Sequence, residues 1–315
     1  MLRVTLLGTA ASRPTVGRNP SALAIQREGE TLLFDCGEGT QRQMMRFGTG
    51  FSLSDIFFTH LHADHFLGLT GLLRTMALQD REEPMRLWGP RGCSGILRDA
   101  VGLGLERTPF EVTINEIEAG QCIVREGYDL IAYDVRHGTR ALGFALVEHE
   151  RLGRFHPERA RALGVPEGPL FGRLHRGEAV EVDGRTITAA EVVGPPRPGR
   201  KVVYTGDTRP CRGTVAAARH ADLLIHDATF CTEEAERART TGHSTAREAA
   251  EVAKRAGARR LVLTHISARY ADDPRTLERE ARHVFPATTV GYDGLEIAVP
   301  LRDDGNAGTV PEQES

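Results

Sequence analysis

Thr59-His60-Leu61-His62-Ala63-Asp64-His65 sets four metal-binding side chains within six residues, directly after the apolar segment Ile56-Phe57-Phe58, which reads as a buried strand. Neutral imidazole and carboxylate are the ligands that borderline cations such as zinc prefer, and a strand-end loop can turn all four side chains toward one point. Clustered histidines without a partner would be costly to desolvate, so the run reads as a metal site and not as core.

Further ligands occur downstream, each after an apolar strand and before a turn. They are His137 in Val135-Arg136-His137-Gly138, Asp207 in Tyr204-Thr205-Gly206-Asp207-Thr208, and His265 in Leu263-Thr264-His265-Ile266. A single strand-end histidine is more often hydrogen-bonded structure than ligand. Together with the first run, however, His60, His62, His65, His137, His265, Asp64 and Asp207 suit two metals that share a carboxylate. His226, His243 and Asp227 also lie near strand ends and are expected to support the ligands or to take part in catalysis.

The rest of the chain sets limits. Its 315 residues carry 40% hydrophobic side chains and a net charge of −3, which supports a large α/β core and gives no global argument for nucleic acid. Lys201 and Lys254 are the only lysines, but the arginine bias runs through the whole chain and reads as genome composition. Cys36, Cys93, Cys122, Cys211 and Cys231 are odd in number and form no CxxC, as expected of reduced thiols in the cytoplasm. The first residues read as a strand and not as a signal peptide, and no apolar run is long enough to span a membrane.

Strand patterns over residues 4–7, 21–26, 31–35 and 56–59 precede an amphipathic helix over 65–78. The second half repeats the style, with strands over 201–205, 222–226 and 260–264 and a helix over 244–256 in which Ser244 would be the N-cap. Two strand-rich halves, each followed by helices, suggest two stacked sheets covered outside by helices. Residues 148–200 differ. They hold Arg151, Arg154, Arg159, Arg161, Arg173 and Arg176 and the run Gly164-Val165-Pro166-Glu167-Gly168-Pro169, which a buried sheet cannot accommodate, so they are placed on a projecting arm. Between Arg151 and Arg176 only Glu158 and Glu167 oppose the arginines, which leaves a local basic patch on a mildly acidic protein. Residues 302–315 are polar and read as a disordered tail.

The HxHxDH run, the later His, Asp and His, and the two-sheet layering resemble the metallo-β-lactamase superfamily over residues 1 to about 300, which implies an α/β fold of the αββα sandwich type and a metal hydrolase. Fold alone does not choose the substrate. More specific segments are similar to the ribonuclease Z family of tRNA 3′-processing endonucleases. Phe34-Asp35-Cys36-Gly37-Glu38-Gly39-Thr40-Gln41 looks like its first motif, Gly242-His243-Ser244-Thr245 like its His-Ser-Thr loop, and Thr264-His265-Ile266-Ser267-Ala268-Arg269-Tyr270 like its last motif. The Gly/Pro stretch through Phe171 resembles the exosite that grips the tRNA elbow. One loop departs from the family pattern. Where the family commonly reads Pro-x-Lys-x-Arg-Asn, this chain has Pro14-Thr15-Val16-Gly17-Arg18-Asn19, which puts discrimination against CCA-bearing tRNA in question.

The resemblance implies a catalytic domain over 1–301 with 148–200 inserted as a tRNA-binding arm. It implies two zinc ions per subunit, with manganese or iron as alternatives: one held by His60, His62 and His137, the other by Asp64, His65 and His265, with Asp207 bridging. A bridging hydroxide would attack the phosphorus in line, leaving a 3′-hydroxyl on the tRNA and a 5′-phosphate on the trailer. Asp64 would accept or relay a proton, His243 would stabilise or protonate the departing oxygen, and Arg269 would clamp a phosphate oxygen. Arg154, Arg173 and Arg176 would contact the RNA backbone and Phe171 a base, although a Phe anchoring its own loop is the commoner case. A homodimer is usual among bacterial members. Two competing readings are a phosphodiesterase, lactonase or esterase for small molecules, with a compact lid in place of a basic arm, and a non-enzymatic RNA-binding module that would have lost ligands.

Overall fold

Successive side chains of a strand point to opposite faces, and that alternation decides how the layers stack. In the strand Glu30–Phe34, Leu32 and Phe34 enter one core while Leu33 enters another, and Phe57 is separated in the same way from Ile56 and Phe58. Val202 and Tyr204 share the first core, whereas Val203 faces away. In the computed structural model, which describes residues 1–104 and 107–302, these cores lie between and outside two seven-stranded sheets.

The first sheet runs in the order Glu296–Ala298, Leu2–Gly8, Ala22–Arg27, Glu30–Phe34, Leu53–Phe57, Met85–Pro90 and Val112–Ile117. The second runs Thr288–Val290, Leu261–Thr264, Leu223–Asp227, Lys201–Tyr204, Leu142–Glu148, Tyr128–Asp134 and Cys122–Arg125. Leu6, Leu23, Phe34 and Phe57 of the first sheet meet Leu142, Phe144, Val202 and Ile225 of the second in the central layer. Helices Thr40–Arg46, Leu69–Leu78 and Ser94–Gly102 contribute Met44, Leu72, Leu73, Met76 and Leu97 to the outer core of the first sheet. Ala246–Ala256 and Arg275–Arg282 supply Ala249, Ala253, Leu277 and Ala281 to the outer core of the second. The αββα sandwich expected from the sequence is the observed fold.

Two expected helices differ in detail. The one expected over 65–78 is broken into Ala63–Phe66 and Leu69–Leu78, because Gly68 donates its N–H to Cys36 O at 2.8 Å. A Cβ at Gly68 would lie 2.0 Å from Gly37 O, so only glycine permits this approach. The helix expected from Ser244 starts at Ala246, with Thr245 as its N-cap in a reciprocal capping box with Glu248. Ser244 lies one residue before the cap, and its hydroxyl donates to Thr208 O at 2.6 Å.

Met1–Val147 with Lys201–Pro300 form one unit, and Glu148–Arg200 form a second together with Leu301 and Arg302. The second has its own small core of Ala160, Val165, Leu174, Val180, Ile187 and Val192. Its Gly/Pro run is a loop over residues 164–168 that links two short helices, opened by Pro157 and Pro169, where a missing N–H costs nothing. Glu148 and Arg200, at its two ends, form a buried two-pronged pair at 2.7 and 2.6 Å. From residue 303 onward the expected tail lies outside the described residues.

Candidate metal centre

All seven expected ligands converge in the first unit. His60, His62, Asp64 and His65 follow the strand Leu53–Phe57 of the first sheet. His137, Asp207 and His265 follow Tyr128–Asp134, Lys201–Tyr204 and Leu261–Thr264 of the second. His62 Nδ1 lies 3.0 Å from His60 Nε2 and 3.2 Å from His137 Nε2, and Asp207 Oδ2 stands 3.5 and 3.9 Å from the same two nitrogens. On the other side, Asp207 Oδ1 lies 3.3 Å from both His65 Nε2 and His265 Nε2. Asp64 Oδ2 closes that group at 3.6 Å from His65 and 3.3 Å from His265. Ligand atoms about 2.1 Å from a tetrahedral cation stand about 3.4 Å apart, so each group has the spacing such an ion requires.

Two features test whether metals fit. His65 Nε2 and Asp207 Oδ1 are buried without a hydrogen-bond partner among the described residues, a costly arrangement that a cation between them would relieve. The ligand rings are also oriented from behind. His60 Nδ1 is 3.1 Å from Thr59 Oγ1, His65 Nδ1 donates to Asp35 Oδ2 at 2.8 Å, and His137 Nδ1 donates to Gly242 O at 2.9 Å. His265 Nδ1 is 2.9 Å from Thr229 Oγ1, whose hydroxyl donates to Asp227 Oδ1. With the proton on Nδ1, Nε2 of each ring keeps its lone pair for a metal. Gly242 has φ 83°, and a Cβ there would lie 3.0 Å from His137 Nδ1, so the backbone carbonyl can come close only without a side chain.

The protonation pattern of the bare site shows its density of charge. Burial pushes His60 and His62 down, helped by neighbouring histidines. Burial opposes charge at His65 too, but Asp207 and Asp35 outweigh it and hold that ring well above the ordinary range. Asp207 and Asp64 lie well below the usual carboxylate range, since the surrounding histidines overcome the cost of burial. Metal binding would replace the proton on His65 with a cation.

His243 is brought to the rim. Its ring stacks on His265 with centroids 5.0 Å apart, and its Nδ1 donates to Asp227 Oδ2 at 2.8 Å. Burial lowers its basicity, Asp227 more than restores it, and the imidazole is raised to about 9. Asp227 is itself fixed by Thr208 N at 3.0 Å and by Thr229 N and Oγ1 at 3.0 and 2.7 Å. His226 is not brought in: it is buried in its strand with Nδ1 on Asp227 O. Arg269 is half-exposed, 3.6 Å from Glu234, and lines an open cleft of about 510 Å³ with Ala11, Ser12, Arg13, Phe230 and His243.

Residues of the second unit stand as follows. Arg173 and Arg176 both pair with Glu178, at 2.8 and 3.4 Å, and Arg161 pairs with Glu167. Arg154 and Arg159 are exposed and make no side-chain hydrogen bond or ion pair among the described residues. Phe171 is half-buried with its ring 5.0 Å from Phe155, against the unit's core.

Asp35, within the segment 34–41, supports the centre in a way its sequence position does not announce. Its carboxylate accepts from Thr59 N, Thr59 Oγ1, Tyr204 OH and His65. A fully buried acid directly after the apolar strand Leu32-Leu33-Phe34 was the available signal. Ser12 N, which donates to Asp64 Oδ2 at 2.8 Å, gave none, since the donor is main chain. Ser12, Asp35 and His265 all have left-handed φ near 55–59°, a strain that clusters at this centre.

Comparison with known proteins agrees with this geometry. A beta-lactamase superfamily domain model matches residues 175–266, and a model described as anti-Pycsar protein Apyc1 matches residues 2–111. The chain is 62% identical to ribonuclease Z of Gemmatimonas aurantiaca over 96% of its own length and 98% of that protein. It is 53% identical to ribonuclease Z of Haloferax volcanii over 98% of both. The crystal structure of human tRNase Z, short form, superposes with a TM-score of 0.69 at 30% identity, covering 95% of this chain and all of that one.

Proposed function

The chain belongs to the ribonuclease Z family of endoribonucleases, and from that premise we propose that it removes the 3′ trailer of precursor tRNA, using two zinc ions and leaving a 3′-hydroxyl on the tRNA and a 5′-phosphate on the trailer. The observation that carries the two-metal reading is the division of Asp207, with Oδ2 toward His60 and His137 and Oδ1 toward His65 and His265. Zinc at these ligands would supply an activated water at neutral pH and positive charge for the phosphate; manganese or iron could occupy the same donors.

The residues of the chain account for the remaining steps. A water oxygen forms the new bond to phosphorus while the bond from phosphorus to the ribose 3′-oxygen breaks. Asp64, held by Ser12 N, would accept the proton that the water loses and release it to solvent. His243, whose Nδ1 is committed to Asp227, presents Nε2 as the proton donor to the departing 3′-oxygen. Arg269 stands in the cleft beside it, where its guanidinium can exchange Glu234 for a phosphate oxygen. Glu148–Arg200 would be the tRNA-binding segment, with Arg154 and Arg159 as its uncommitted cations and Arg173 and Arg176 exchanging Glu178 for phosphate. Phe171 would meet a base only through the ring face not packed on Phe155.

A homodimer working in the cytoplasm completes the proposal; a single-chain mass by light scattering would remove the dimer. No helix among the described residues is long and apolar enough to cross a membrane.

The test is incubation of the zinc-loaded chain with a precursor tRNA carrying a 3′ trailer, with end mapping of products, beside lactone, thioester and bis-aryl phosphodiester panels. Cleavage next to the discriminator nucleotide, abolished in Asp207→Ala, is expected. Rapid turnover of a small ester with intact precursor would defeat the proposal.

A further inference from the structure

Ala11, Ser12 and Arg13 line one side of the cleft beside His243, and the segment from Thr9 to Pro20 that carries them is exposed over most of its middle. Ser12, Arg13, Pro14, Val16 and Gly17 are exposed, and Val16 at the tip is wholly so. Its placement nevertheless matters to the chemistry, since Ser12 N donates to the metal-facing oxygen of Asp64, and Ala11 N donates to Ile266 O beside His265. A backbone bond from Ala10 N to Asn19 O at 2.9 Å closes its base, and one half-buried carboxylate from the other end of the chain braces both ends, one through a side chain and the other through the main chain. Asp293 Oδ1 accepts from Thr9 Oγ1 at 2.7 Å, where the segment begins, and Oδ2 accepts from Asn19 N at 2.6 Å, where it ends. Gln43 Nε2 donates to the same Oδ2 at 2.8 Å and to Leu7 O at 2.8 Å, tying the carboxylate to the helix Thr40–Arg46 and to the first strand. Buried Arg18 adds a second tie across the loop base, donating to Thr9 Oγ1 at 2.7 Å and to Gly291 O at 2.6 Å.

We propose that Asp293 is a positioning residue that clamps both ends of the Thr9–Pro20 loop and so sets the cleft wall against which the RNA near the scissile phosphate is bound. The inference rests on the reading of the chain as a precursor-tRNA nuclease. Asp293 touches neither a metal ligand nor the reacting atoms; it acts through Thr9 and Asn19. Loss of the clamp lets the loop sample other positions, and each productive encounter then has to re-order it.

Hydrogen exchange of the loop amides without substrate, and KM and kcat on precursor tRNA, test this in the zinc-loaded chain. Asp293→Ala is expected to speed exchange over residues 11–18 and to raise KM about tenfold, with kcat changed less than about twofold. Asp293→Asn, which retains one acceptor oxygen, should fall between. Thr9→Val removes one arm of the clamp together with the acceptor of Arg18, and should speed exchange and raise KM in the same direction. Unaltered exchange, or an equal loss of kcat with released zinc, would overturn the assignment. Should Asp293→Ala fail to fold, Thr9→Val carries the same expectations in milder form. If the unsubstituted chain leaves precursor tRNA intact, the functional reading falls, while the exchange data still uphold or overturn the clamp.

Discussion

Asp35 gathers Thr59, Tyr204 and the imidazole of His65 around one buried carboxylate, so it decides where His65 Nε2 points. Replacing it with asparagine keeps the shape and removes the charge that favours a proton on Nδ1. Asp35→Asn should weaken metal binding about 10–100-fold, measured by competition with a chelating dye; unaltered affinity would show that Thr59 alone orients the site. Asp227→Asn should lower kcat by about 10²–10⁴ with metal content retained, because His243 loses the acceptor that fixes its tautomer. A loss smaller than about threefold would remove His243 from proton transfer. The convergence of the candidate ligands was legible in the sequence because imidazole and carboxylate at strand ends have few other uses in such numbers. The atoms behind them were not, since Thr59, Thr229 and Gly242 become partners only when separate strands and turns meet.

Among the elements, strands were read well where apolar side chains alternate or run continuously, as in Leu223–Asp227 and Leu261–Thr264, because burial alone decides them. Helix ends were read less well. The break at Gly68 follows from a close approach to Gly37 that only the folded chain contains, and the shift from Ser244 to Thr245 follows from the reciprocal capping box of Thr245 with Glu248. The ends of Leu142–Glu148 and Lys201–Tyr204 carry a further consequence, since the Glu148–Arg200 pair closes the base of the inserted segment. Glu148→Ala removes the carboxylate that both prongs of the buried Arg200 guanidinium address, which costs about 3–5 kcal/mol. Chemical denaturation should show that loss, and faster proteolysis within Glu148–Arg200 should accompany it. A change under about 1 kcal/mol would mean that Arg200 finds water.

On the scale of the molecule, the basic patch inferred from composition is smaller than its arginine count, because Glu178 takes both Arg173 and Arg176 and Glu167 takes Arg161. The sequence could not reveal that neutralisation, which depends on how the helix Pro169–His175 meets the residues after it. Arg154→Ala with Arg159→Ala should therefore flatten the salt dependence of precursor-tRNA affinity, each lost phosphate contact reducing the slope by about one. An unaltered slope would assign binding to other residues. Deleting the whole stretch is a poorer test, since Ala160, Val165 and Leu174 belong to a core that Val180, Ile187 and Val192 complete. The ligand set has a wider reach than chemistry. His60, His62, Asp64 and His65 follow a strand of one sheet, and His137, Asp207 and His265 follow strands of the other, so cations bound there would act as rivets across the sandwich. Heat resistance then becomes a function of free metal: at a free zinc concentration 100 times Kd each site adds about 2.7 kcal/mol against unfolding. Calorimetric scans should show Tm climbing with buffered zinc and dropping with a chelator, and a Tm indifferent to both would mean that the two sheets hold together without help from their shared edge.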